Sequence, residues 1–142
     1  MTPQLRAEKV SKIMWEKDFA SQDMGMKIEE IGPGFSRLSL VVKEKHLNGH
    51  GICHGGVIFT LADSAFAFAC NSYNRLAVSQ HNSISYILPG KPDQKLIATA
   101  EEASLVGKSG LYIVRVTNPE NQLIAFFKGS SRIIMGTHFN EE

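Results

Sequence analysis

Apolar and polar positions follow three different rhythms along this chain. The first is helical. Over residues 3 to about 19, Leu5, Val10, Ile13, Met14 and Lys17 recur at a loose 3.6-residue period, with Glu8, Lys9, Lys12 and Glu16 on the other side. That spacing predicts an amphipathic helix. Thr2 can cap it, and Pro3 suits its first turn. The second rhythm is two-fold. Residues 26–31 read as extended, Gly32-Pro33-Gly34 as a turn, and residues 35–43 as a strand in which Leu38, Leu40 and Val42 alternate with Arg37, Ser39 and Lys43. Together they predict a hairpin. The third rhythm is no alternation at all. Residues 57–70 run apolar with one charge, Asp63, after an entry that carries glycine at 49, 51, 55 and 56. A helix apolar on every side is expected to be enclosed rather than laid on a surface.

Residues 45–53 are expected to be irregular, because Gly49 and Gly51 interrupt any helix there. After a connection at residues 73–75, strands are predicted over residues 77–88, 96–106, 111–117 and 122–135. Pro89-Gly90, the turn Gly107-Lys108-Ser109-Gly110 and the turn Asn118-Pro119-Glu120-Asn121 separate them. Strands of this length with tight turns predict an antiparallel meander. The tail from residue 136 to 142 is expected to be mobile. The architecture expected is α+β, with one antiparallel sheet wrapped around one buried helix. The second face of the sheet and its open edges predict an oligomer.

Bulk composition narrows the classes. The chain has 142 residues, 43% hydrophobic and 20% charged, which fits one domain with a substantial core. A net charge of +1 gives no broad nucleic-acid surface. The two cysteines, Cys53 and Cys70, form no CxxC and read as reduced thiols of a cytoplasmic protein. No signal peptide is read at the N-terminus. The 57–70 run is too short to cross a bilayer, so no membrane partner is expected.

The candidate chemistry begins with Asp63. A buried carboxylate costs several kcal/mol unless it is paired, hydrogen-bonded or neutralised. No Lys or Arg lies between Lys45 and Arg75 to pair with it locally. Two readings stand side by side: a structural Asp bonded to backbone or Ser groups, and a base or nucleophile with a raised pKa. His46, His50 and His54 recur every four residues beside Cys53, but the intervening glycines preclude a regular helix and no H-E-x-x-H or paired CxxC exists, so no metal is expected. Cys53 and Ser64 lack the setting of a covalent nucleophile. Ser64 is expected to make a helix-interior contact.

His54-Gly55-Gly56 opens the apolar helix, where backbone N–H groups are unpaired and the dipole is positive. With Asp63 in the same helix, it suggests an acyl-transfer site made of an oxyanion donor and a carboxylate. Gly55 and Asp63 are about 12 Å apart along a helix rising 1.5 Å per residue. One helix cannot supply both to one reacting carbon, so a shared site is expected, with Asp63 from one subunit and Gly55 from its two-fold mate. The turn at Lys108 and Ser109 offers one cation and free donors that could hold a phosphate, or it is a plain solvated hairpin turn.

The stretch Asn48 to Asp63, N-x-x-G-x-x-HGG-x-x-F-x-L-A-D, resembles the signature of the hotdog-fold acyl-CoA thioesterases, and within them the PaaI group of phenylacetate degradation. The likeness extends to Leu88-Pro89-Gly90, to Gly107-Lys108-Ser109 and to the closing LIAFFKGSSRI. The resemblance implies a hotdog fold, dimers that pair into tetramers, and hydrolysis of an aryl-type acyl-CoA at a dimer interface. It places Asp63 as the catalytic carboxylate and Gly55 as the donor to the thioester carbonyl. Asn48 and His54 fall on residues that orient water, carbonyl and loop. Gly56, Ser79, Lys108 and Ser109 fall on substrate-binding positions. No cofactor and no metal are implied. The alternatives are a hotdog hydratase or dehydratase, and a non-catalytic acyl-CoA binding module. Thiol release would separate them.

Overall fold

A computed structural model describes residues 1–141. Thr2 caps α1 (Pro3–Lys17) by accepting from the Leu5 N–H at 3.1 Å. The helix is shorter than its pattern predicts, because Asp18 ends it and starts a second. Asp18 caps α2 (Phe19–Asp23) by accepting from the Ser21 N–H at 3.0 Å. The buried face of α1 is Ala7, Val10 and Ser11, with Met14 and Trp15 packed on the core, whereas Leu5 faces solvent. The predicted stripe is therefore rotated: small residues sit where α1 approaches the sheet closely.

Six strands form one antiparallel sheet: β1 (Lys27–Gly32), β2 (Phe35–Val41), β3 (Ala77–Tyr86), β4 (Lys95–Val106), β5 (Ser109–Thr117) and β6 (Leu123–Ile133). Their order is β1-β2-β4-β5-β6-β3. The expected meander holds for β4, β5 and β6 only. β3 does not pair with β4. It lies against β6, with Ala77 opposite Ile133 and Tyr86 opposite Ala125, and so forms one edge of the sheet. The reason lies in α3 (Gly55–Cys70), which separates β2 from β3 in the chain and crosses the sheet's inner face. β4 closes onto β2, and β3 is left for the far side.

α3 packs on the inner face of that sheet. Ile58, Leu61, Ala62, Ala65, Phe66, Phe68 and Ala69 are buried on it. Phe66 meets Tyr112 at 5.6 Å and Phe127 at 5.9 Å between ring centroids. It can do so because β6 carries Gly129 beneath it: a Cβ there would lie 2.8 Å from the Phe66 ring. The helix is nevertheless not enclosed. Gly56 is exposed, and Thr60, Asp63 and Ala67 are half-buried. These four recur at helical spacing, so one stripe of α3 escapes its own sheet. The polar residues of the stripe make this possible, since Thr60 returns its hydroxyl to Gly56 O at 2.8 Å.

The C-terminal tail is docked, contrary to the mobile tail expected. Asn74 Oδ1 accepts from the His138 and Phe139 N–H groups at 2.9 and 3.2 Å. His138 Nε2 meets Asn71 Oδ1 at 2.8 Å, and Arg6 forms a two-point ion pair with Glu141 at 2.8 and 2.7 Å. Residue 142 of that tail lies outside the described residues. Among the described residues no helix is long and apolar enough to cross a membrane.

Candidate active site

Asp63 lies midway along the open stripe of α3. Its partner is Asn82 on β3, whose Nδ2 donates to Asp63 Oδ1 at 3.3 Å. Ser79 Oγ donates to Asn82 Oδ1 at 2.9 Å, which fixes the amide with its NH2 toward the carboxylate. Ser79 and Asn82 are three apart and would face opposite sides of a regular strand. A bulge at Gln80, between Ser79 and His81, brings them to one side. Burial raises the Asp63 pKa above the ordinary carboxylate range and the Asp18 charge adds to this, while the Asn82 bond opposes it. No Lys, Arg or His pairs with Asp63 among the described residues. Its contact is thus neither the Ser nor the backbone expected of a purely structural Asp. Instead of the expected contact inside its own helix, the Ser64 hydroxyl meets α2, 2.8 Å from Ser21 Oγ.

The start of α3 is built differently. His54 is the N-cap: its Nδ1 accepts from the Gly56 N–H at 2.8 Å. That bond puts the ring hydrogen of the neutral imidazole on Nε2, facing solvent, and occupies the Gly56 donor. Among the described residues nothing accepts from the Gly55 N–H. Tyr86 on β3 donates its hydroxyl to Gly55 O at 2.8 Å, and a Cβ on Gly55 would lie 3.2 Å from its ring. Asn48 folds the entry loop, with its Oδ1 accepting from the His50 and Ile52 N–H groups at 2.9 and 3.3 Å. Asn48, Gly55, Ile58, Tyr86 and Leu88 line one cavity of about 390 Å³, mostly apolar. A larger hollow of about 640 Å³ lies between α1 and β1 beside Glu8, Glu29 and Glu30, away from all these residues. His46 is buried elsewhere, its Nε2 2.8 Å from Met24 O.

Lys108 sits in the β4–β5 turn, where its backbone O accepts from the Ile133 N–H at 2.8 Å, and Ser109 opens β5. Ser109 borders a groove of about 400 Å³ with Gln80 and Ser130. The candidate residues thus form three groups: Asp63 with Ser79 through Asn82, Asn48 with Gly55 in the cavity, and the hairpin turn. Asp63 and Gly55 do not meet within the chain. Two rulers agree on this. Along α3 they are about 12 Å apart, and their contacts on β3, Asn82 and Tyr86, are about 13 Å apart at 3.3 Å per residue. Sequence reasoning does not find Asn82 or Tyr86. Their signal, two hydrogen-bonding side chains on the helix-facing side of β3, is visible only once Ile84 between them is seen to pack on the core.

A carboxylate of raised pKa and an unpaired amide at a positive helix end, on a helix wrapped by an antiparallel sheet, define a class: the hotdog fold with an acyl-transfer site. The comparisons agree. Residues 50–125 match the family model described as Thioesterase superfamily. The chain belongs to that family and is a thioester hydrolase. The acyl-coenzyme A thioesterase PaaI of Escherichia coli is 37% identical over 124 residues, 87% of this chain and 89% of that protein. A protein of Archaeoglobus fulgidus is 40% identical over 123 residues, 87% of this chain and 80% of the other. The solved Escherichia coli PaaI structure, from the phenylacetic acid degradation operon, superposes with a TM-score of 0.94 at 34% identity, covering 96% and 99% of the two chains. A Streptococcus mutans protein solved bound to acetyl-CoA superposes with a TM-score of 0.76 at 26% identity, covering 80% and 90%.

Proposed function

We propose that this chain is a single hotdog domain that hydrolyses an acyl-CoA thioester, with each active site shared by two subunits. The observation that carries the reading is the separation of Asp63 from Gly55 in a chain that leaves the stripe around Asp63 open. The outer edge of β3 pairs with no strand among the described residues either. A two-fold mate pairing edge to edge along β3 would cover the stripe and complete the sheet. Asp63 stands level with Asn82, and Gly55 with Tyr86. For one to face the partner's copy of the other, the axis must pass midway, at Ile84.

In the completed site the Gly55 N–H and the positive end of α3 stabilise the oxyanion of the attacked thioester. Loss of one such donor typically costs about 2.7–4 kcal/mol. Two routes fit Asp63. As general base it takes a proton from water that attacks the carbonyl carbon, then returns it to the departing CoA sulfur. As nucleophile it forms a mixed anhydride that water cleaves. Oxygen-18 incorporation into Asp63 under single turnover separates them. Asn48 and His54 support the loop and helix end that present the Gly55 amide. Asn82, seated by Ser79, aims the carboxylate. Lys108, Ser109 and the Gly56 edge lie where the CoA arm would leave.

An aryl acyl group such as phenylacetyl or hydroxyphenylacetyl is supported by the likeness to the PaaI protein and by the apolar cavity beside Gly55. A dimer of such dimers and a cytoplasmic setting complete the reading, the latter supported by the free, buried thiols of Cys53 and Cys70. The test is complementation. Mixing Asp63→Ala with a Gly55→Val chain should restore up to one working site per heterodimer, read as thiol release from phenylacetyl-CoA. Activity absent from the mixture, with heterodimers present, would refute the shared site.

A further inference from the structure

Asp18 is tied by way of Ser21 to Ser64, the residue that follows Asp63 on α3. It lies at the break between α1 and α2, and its place is held by a directed chain of hydrogen bonds. Ser21 donates both its N–H, at 3.0 Å, and its Oγ–H, at 2.7 Å, to the Asp18 carboxylate. The single hydroxyl hydrogen of Ser21 is thereby used, so the 2.8 Å contact with Ser64 has Ser64 as donor. The chain Ser64→Ser21→Asp18 ties α2 to α3 at the residue next to Asp63. Ser21 is 1% exposed, so the tether is sheltered from water.

Among the described residues, no Lys, Arg or His is hydrogen-bonded or ion-paired to Asp63. α2 presents Asp18, β3 presents Asn82 and Ser79, and α3 itself presents Thr60 and Cys70. On the inner face of the sheet Ser36 of β2 donates to Ala65 O of α3, and Tyr112 of β5 donates to Glu102 of β4. Glu102 is taken up by two phenols, Tyr73 and Tyr112, each at 2.9 Å. We propose that Asp18 is a positioning residue for thioester hydrolysis: moored through Ser21 to Ser64, its negative charge makes Asp63 the stronger base. This rests on Asp63 being the reacting carboxylate. Like charges that share a poorly solvated site resist joint ionisation, which favours the protonated form of one of them.

The test compares pH profiles of kcat/KM for thiol release in the wild type, Asp18→Asn, Asp18→Glu and Ser21→Ala. Asp18→Asn keeps the cap oxygen and removes the charge. It should move the acid limb to lower pH and leave KM within about two-fold, whereas Asp18→Glu should keep the limb near its wild-type position. Ser21→Ala, which cuts the mooring, should move the limb the same way by less. A carbon-13 titration of the Asp63 carboxyl in wild type and Asp18→Asn reads the same shift without turnover. An unmoved limb and an unmoved titration in folded Asp18→Asn overturn the proposal. Should Asp18→Asn not fold, Ser21→Ala decides the matter by the same criteria. Asp63→Asn keeps the two failures apart: normal hydrolysis there ends the functional reading, while an inactive Asp63→Asn beside an unmoved Asp18→Asn ends this inference alone.

Discussion

At Asp63 function and stability pull in opposite directions. Its pKa is raised in the fold, chiefly by burial. The stability it contributes is therefore full below its unfolded value, about 3.9, and is lost as pH rises through the raised folded value. Asp63→Asn should then melt higher than the wild type at neutral pH, a difference that shrinks toward pH 4, while turnover falls by about 10²–10⁴-fold. Calorimetry beside a thiol-release assay checks both halves; a lower melting temperature at neutral pH would contradict this account. Activity should also fall with acid as Asp63 takes up its proton, with a limb above the ordinary carboxylate range. Tyr86 offers a milder probe. Tyr86→Phe removes the bond to Gly55 O, worth about 0.5–1.5 kcal/mol, and should lower kcat through a looser helix start while the fold persists. An unchanged kcat and melting temperature would mean that the bond does not steady Gly55. Asp63 and Gly55 are legible in the sequence because one is a lone charge in an apolar run and the other a glycine at a helix start. Asn82 and Tyr86 are not, because a polar residue in a strand says nothing of what it faces. Asp18 carries a readable sign, an Asp three residues ahead of Ser21, that the continuous helical pattern masks.

At the scale of elements, pattern locates the pieces within a few residues but not their neighbours. Period and turn residues are local, and they place the strands from β4 to β6. Which strand lies beside β6 depends on how α3 crosses the sheet, which no local pattern encodes. The same holds for the open stripe on α3, since an apolar helix looks enclosed until the area of its own sheet is known. The edge of β3 gives the sharpest test at this scale. With a two-fold axis at Ile84, position 83 of one strand opposes position 85 of the other. Oxidised mixtures of Ser83→Cys and Ser85→Cys chains should form a covalent dimer on a non-reducing gel, and each variant alone should form far less. Equal cross-linking by a single variant would place the axis elsewhere.

For the whole molecule, the tail joins parts that the chain makes first and last. Glu141 reaches Arg6 on α1, His138 reaches Asn71 at the end of α3, and Lys9 lies 4.3 Å over the Phe139 ring. Burial depresses the His138 pKa. Its contribution is thus present above its unfolded value, about 6.5, and lost as pH falls through the lower folded value. Ending the chain after Met135 should lower the melting temperature at pH 7.5 and remove the part of the acid sensitivity that His138 supplies. Equal melting curves for the full and shortened chains at pH 7.5 would show that the docked tail adds no stability.

The surplus residue at Gln80 has a consequence for how this enzyme could vary. Excising it would leave a plain two-beat ladder in which Ser79, then two places from Asn82, keeps its side and its place opposite Ser131. Ala77 would stay opposite Ile133, where the Asn71 side chain clasps its backbone from both sides. Loss of position 80 is thus far easier to absorb than a one-residue deletion elsewhere in β3, which would turn one part of the strand over against the other, and descendants of this chain should drop position 80 more readily than its neighbours.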